Sequence, residues 1–330
     1  MIFIIIKIYL FNYITNCIRG GSIKEIIICT DLYTSSDQTV ISGYNIGQLF
    51  NQKTILFHVN TISPQIEHIF HPPTIHTQYL YEPVWDKDIE ITVLQRIGVQ
   101  LNRLKLNKED FKFESFEGLI TEGIKYLGDK FNINFIVIGA THHRNMHRLF
   151  FNSFAEKTFF NLKKDVLLIK KSMHQVQHIT HLLSWADDNA NDLSIVSYWA
   201  KMWKAKVGLD CVVPIEFVGL NLEIFREGPS AREILLDQTS HYHEQAENRL
   251  IQARDKLRSN GIECDYSLKM ILNKSPGKTL SEMIIQSQTD LVILRPEHYV
   301  FDRFVIGSTT FDLLRKVKAN MYLINKGDEK

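Results

Sequence analysis

Two short stretches of this chain carry groups suited to holding an anion. Asn152-Ser153 follows a loop that holds His142, His143, Arg144, His147 and Arg148, and Gly307-Ser308 follows a loop that holds Pro296 and Glu297. A hydroxyl beside the free backbone N–H groups of a helix start is an anion-binding arrangement. Upstream, Asp31 and Asp187 each end a short apolar run. A carboxylate there can accept a hydrogen bond from an adenine amino group or a ribose hydroxyl. Each residue also has a plainer reading, since Asp, Asn, Ser and Gly are ordinary helix caps and turn formers.

These groups recur because the chain is written twice. "FIVIGATHHRNMHRLFFNSFAEKTFFNLKKDVLLIK" (Phe135–Lys170) and "LVILRPEHYVFDRFVIGSTTFDLLRKVKANMYLINK" (Leu291–Lys326) share one plan: apolar run, polar loop, small residue and Ser, amphipathic segment, apolar run. They lie roughly 155 residues apart, about one domain length.

The elements needed to position the groups follow in order. "KEIIICTD" (Lys24–Asp31) and "ITHLLSWAD" (Ile179–Asp187) look like buried parallel strands, and "TILFHVN" (Thr54–Asn60) and "VGLDCVVP" (Val207–Pro214) are second strands. Between them, Val40, Tyr44, Ile46 and Leu49, and then Ile195, Trp199 and Met202, fall near one helical face. Long helical patterns cover about Asp88–Leu106 and Ser230–Asn260, "FKFESFEG" and "CDYSLKMIL" alternate as third strands, and a helix precedes each fourth strand. Each half reads β-α-β-α-β-α-β-α-β, which builds a five-stranded parallel sheet with helices on both faces. In such a sheet the ligand crevice lies beyond the carboxyl ends of the strands, where strand order reverses. The polar run Lys171–His178 contains the linker (173–178), leaving domains at 22–172 and 179–330. If the last strands, Asp165–Lys170 and Met321–Asn325, sit edge to edge, one chain forms a pseudo-dimer and hides two sheet edges.

Composition narrows the classes. With 330 residues, 45% of them hydrophobic and 23% charged, the chain can bury two ordinary cores. A net charge of +1 gives no electrostatic case for nucleic acid or an anionic membrane. Cys17, Cys29, Cys211 and Cys264 form no CxxC, which fits a reducing cytoplasm. The segment 1–21 is apolar, but Lys7, Asn12 and Asn16 interrupt it well short of the about 20 residues a spanning helix needs. A membrane tether, an added edge strand, a packing arm and an early start codon are its readings.

Strand–Asp, strand, strand, then a Gly-x-x-Gly loop, nine residues and Gly-Ser is the pattern of universal stress proteins. The chain resembles the tandem, two-domain type of bacteria from about residue 22 to 327. The resemblance implies two Rossmann-like (adenine nucleotide alpha hydrolase-like) domains, pairing through the last strands, a stress-response role, and in some members ATP or AMP. Carried over, Asp31 and Asp187 match the adenine-side Asp. Gly139 matches the first loop glycine, while His142 replaces the second and Asn152 the third, and Ser153 is kept. In the second half Leu294 and Glu297 replace both loop glycines, and only Gly307-Ser308 survives. Leu294 adds bulk where backbone must approach phosphate, and Pro296 removes a donor. Glu297 sets a carboxylate against phosphate, a repulsion of roughly 4 kcal/mol at about 4 Å and an effective dielectric of 20.

The resemblance therefore implies a non-catalytic tandem protein, acting through an unidentified protein partner or a small ligand, with a degenerate nucleotide loop in both halves. ATP or AMP sensing by the first half, through Asp31, Gly139, His142, Asn152 and Ser153, is the alternative, and association into a homodimer stays open. An adenine-nucleotide α-hydrolase, the remote alternative, wants an SGGxDS-like loop, and neither "CTDLYTSSDQ" nor "WADDNANDLS" has a double glycine. "SPGKT" (Ser275–Thr279) has Leu272 where a P-loop needs glycine. The thirteen histidines include no HExxH, so surface imidazoles are the plain expectation and no metal site is assigned. Trp199 and Trp203, at i,i+4, read as core or interface.

Overall fold

The structure, a computed structural model, describes residues 24–60, 87–140, 164–184, 192–215, 229–272, 274–296 and 307–325, with the backbone alone for 87–91 and 229–238. The extension 1–21 lies outside them. The first half runs β1 (Glu25–Cys29), α1 (Asp37–Phe50), β2 (Lys53–Asn60), α2 (Lys87–Leu104), β3 (Phe111–Glu117), α3 (Ile120–Lys130), β4 (Ile133–Gly139) and β5 (Asp165–Ile169). The second runs β6 (His178–Leu182), α4 (Asp192–Trp203), β7 (Lys206–Pro214), α5 (Pro229–Ser259), β8 (Cys264–Ile271), α6 (Pro276–Gln286), β9 (Leu291–Leu294), α7 (Ser308–Lys316) and β10 (Asn320–Leu323). The expected alternation is present. The fourth helix of the first half falls outside the described residues.

Strands such as Ile26-Ile27-Ile28, 0% exposed on both faces, need helices above and below. Helix α1 approaches closely because Thr39, Gly43 and Gly47 recur every four residues. A Cβ on Gly43 would lie 2.7 Å from Ile28, and one on Gly47 2.3 Å from the Thr54 methyl. Helix α6 explains "SPGKT": Ser275 caps it, its oxygen accepting from the Lys278 N–H, and Pro276 opens it. Gly277 then lets α7 press in, since a Cβ there would stand 2.6 Å from Asp312. Among the described residues no helix is long and apolar enough to cross a membrane.

All ten strands join one sheet, ordered β3-β2-β1-β4-β5-β10-β9-β6-β7-β8. Within each half the strands are parallel, and the halves meet where β5 and β10 run antiparallel, Leu168 opposite Met321, Leu167 opposite Tyr322 and Val166 opposite Leu323. The two cores expected from composition are organised differently. Each core cluster covers one face of the whole sheet and takes side chains from both halves. On one face Phe50 and Phe135 of the first half interleave with Trp199 and Tyr322 of the second, with ring centroids 5.0–6.2 Å apart. The run Lys171–His178 is also less polar in effect than in composition. Met173 and Val176 are buried in that face, and the Met173 N–H donates to Ser42 Oγ at 3.0 Å.

The joint is pinned twice, in matching places. Asp165, the first residue of β5, accepts the Asn325 N–H (2.8 Å) and the Tyr322 hydroxyl (2.9 Å). Asn320, the first residue of β10, accepts the N–H groups of Lys170 (2.8 Å) and Lys171 (3.0 Å) through one buried Oδ1. The Lys170 ammonium donates to the Leu314 and Val317 carbonyls at 2.6 and 2.8 Å, capping the end of α7 from the other half.

Replacing Asn320 by Leu strands two N–H groups at the joint and is expected to cost about 2 kcal/mol in urea unfolding. An unchanged midpoint would show that the pin is idle. A second expectation concerns Asp210 on β7, whose carboxyl burial pushes up to about 6 from 3.8, against the opposing pull of His178 and Lys269. A raised folded value favours the neutral acid. Its contribution is therefore complete below about pH 3.8 and lost as pH rises through about 6. Asp210→Asn should be more stable than the parent at pH 7 by on the order of 2 kcal/mol, with no advantage near pH 3, as followed by denaturant titration across pH.

Candidate functional site

The reversal of strand order places a crevice between the carboxyl ends of β1 and β4 in the first half, and of β6 and β9 in the second. In the first half β1 ends at Cys29, two residues short of Asp31, because Thr30 turns the chain. Its hydroxyl accepts the Leu32 N–H at 3.0 Å, and Leu32 sits at φ 66°. The same hydroxyl meets Ser36 Oγ at 2.8 Å and Gln100 Oε1 at 2.9 Å. Gln100 of α2 is 0% exposed, and its amide donates to Ser36 Oγ and Asp37 Oδ1, both at 3.0 Å. Arg103 completes a fork onto Asp37, at 2.8 and 2.6 Å. His58, at the end of β2, donates Nδ1–H to the Thr30 carbonyl at 2.9 Å, and burial lowers its pKa. The turn after β1 is thus tied to α2 and β2 by side chains that satisfy one another.

Asp31 belongs to that turn. Its Oδ1 accepts the Tyr33 N–H at 2.9 Å and its Oδ2 the Ser35 hydroxyl at 2.6 Å, so both oxygens already hold the backbone in shape. Gly139 ends β4 facing α1, where a Cβ would fall 2.4 Å from Thr39 Oγ1. The glycine is required by helix–sheet contact, whatever else approaches it.

The second half is arranged differently. Arg295, the residue after β9, forks onto Asp192, the first residue of α4. Its Nε lies 3.1 and 3.0 Å from the two carboxylate oxygens, and Nη2 also bonds Oδ1. The Asp192 side chain is 1% exposed and that of Arg295 14%. His181 of β6, wholly buried, donates Nδ1–H to the Ile293 carbonyl at 3.0 Å, and burial lowers its pKa while Asp192 opposes. Its Nε2 has no hydrogen-bond partner among the described residues. Leu294 is buried at the end of β9, filling the position where the first half has Gly139. Gly307 caps α7 at φ −56°, and Ser308 begins the helix.

His142, Asn152, Ser153, Asp187 and Glu297 lie outside the described residues. Of the residues expected to form a site, Asp31 and Gly139 flank the first crevice, and Ser308 opens the helix beyond the second. Sequence reasoning did not single out Gln100, Asp192, His181 or Arg295. One signal was legible: Asp37 and Asp192 occupy matching helix starts 155 positions apart. Among the described residues no three metal-ligating side chains cluster. Burial pushes the thiols of Cys211 and Cys264 up to about 12 and that of Cys29 higher still.

The packing role of Gly139 is open to test. Gly139→Ala should cost about 1–2 kcal/mol in unfolding, and Thr39→Ala in the same chain should recover most of it, because the nearest clash is with the threonine hydroxyl. Independent, additive losses would contradict that role.

No family model and no curated protein matches the chain. Solved structures do. A universal stress protein from Archaeoglobus fulgidus is 12% identical, with 93% of this chain and 97% of that one covered at a TM-score of 0.60. A functionally unknown protein from Pseudomonas aeruginosa PAO1 is 10% identical, with 94% of each chain covered at 0.59. The likeness spans both halves and the joint between them, so this chain has the two-unit α/β fold of a universal stress protein structure.

Proposed function

We propose that the chain is a tandem universal stress protein of the cytoplasm that acts in stress response by binding a protein partner or small ligand, without catalysis and without using nucleotide. The observation that carries this reading is the state of Asp31. The carboxylate that would receive an adenine or ribose already gives one lone pair of each oxygen to its own turn, which leaves it half its acceptor sites, and that turn is locked to α2 by Gln100. The deep burial of Cys29, Cys211 and Cys264 counts against these three thiols as nucleophiles. In the second half, Leu294, Pro296 and the Arg295–Asp192 fork stand where a phosphate loop would need glycine and open backbone.

Thermal unfolding with ATP and magnesium, and separately with AMP, tests the reading. A ligand at 100 times its dissociation constant adds about 2.7 kcal/mol, so binding would raise the midpoint by several degrees. No rise is expected. A rise abolished by Asp31→Ala or Ser153→Ala would instead make the first half a nucleotide sensor.

A further inference from the structure

We propose that the second crevice contains an oxyanion site, built by the Arg295 guanidinium at the amino-terminus of α4, that the chain fills with its own Asp192 carboxylate and so holds closed. Arg295 leaves the carboxyl end of β9, and Asp192 opens the helix that follows β6. Their fork therefore bridges the two strands between which the order reverses. A planar guanidinium presenting Nε and Nη2 to two oxygens is the geometry by which arginine takes a carboxylate or a phosphate. The helix start adds positive potential.

Two further observations point to a ligand position rather than an ordinary helix cap. His181, fully buried on β6, senses the charges of both Asp192 and Arg295, yet its Nε2 lone pair has no partner among the described residues. The first half has the matching acid, Asp37, but takes its arginine from α2 (Arg103), and Ala140 stands where the second half has Arg295. The cation in the second crevice thus belongs to the loop after the fourth strand. The inference concerns the second half alone and stands whether or not the first half takes a nucleotide.

The test replaces the internal anion and supplies an external one. Thermal unfolding of the full chain is followed with inorganic phosphate against sodium chloride of equal ionic strength. The parent should show no phosphate-specific rise. Asp192→Asn should gain one of about 2 °C or more, and Asp192→Asn with Arg295→Met should lose it. Asp192→Ser, which keeps a capping oxygen, carries the same comparison if Asp192→Asn does not fold in chloride. Recovery of either variant by phosphate supports the site. Equal responses with and without Arg295, a response already present in the parent, or failure of both variants to fold even in phosphate would overturn it. A nucleotide response of the parent that depends on Asp31 would leave this result untouched and count only against the proposed function.

Discussion

The antiparallel contact of β5 with β10 is the constraint on which the rest of the molecule depends. Neither half can close its sheet alone, because the last strand of each would present a bare row of N–H and C=O groups. Joined, the strands make one sheet of ten, and the apolar layers above and below run through the seam without a break. Phe135 and Trp199, each nearly inaccessible to solvent, owe that burial to side chains across the joint. A break at the seam would expose both layers at once, so the halves are mechanically one body.

Alternation of helix and strand was legible because it rests on periodicity alone. Isoleucine runs such as Ile26-Ile27-Ile28 admit only a doubly covered strand, and the 31 residues of α5 carry an unbroken helical pattern. The duplication then supplied the second half from the first. Burial of the linker was not legible. Met173 and Val176 sit among polar neighbours, and only the tertiary contact with α1 shows that they join the core. Strand ends were also misplaced, since the chain turns just after Thr30, whose N–H still reaches the Phe57 carbonyl, through a side-chain hydrogen bond to Leu32 that leaves no periodic trace.

For the crevices the sequence pointed to the carboxyl ends of the strands but not to the side chains that fill them. Asp31 was identifiable by position, whereas its commitment to Tyr33 and Ser35 is a matter of rotamer and turn. Gln100 and Arg295 act across separations of 63 and 103 residues from their acidic partners, which no local spacing encodes. Gly139 carries a different lesson: a glycine at a motif position can be demanded by a neighbouring helix, here through Thr39, and then says nothing about a ligand.

The pairing of Leu167 with Tyr322 has a consequence for how such a chain can change over time. Those residues are equivalent in the two repeats, so they sit on the local two-fold axis. In an assembly of identical subunits the residue on such an axis must meet its own copy, and any substitution is imposed on both sides together. Fusion into one polypeptide lifts that restriction. Leucine faces tyrosine, and the tyrosine hydroxyl reaches Asp165, a contact that two leucines could not make. Each repeat is thereby free to specialise its contact surface without its twin, and the partnership, once interchangeable, becomes exclusive.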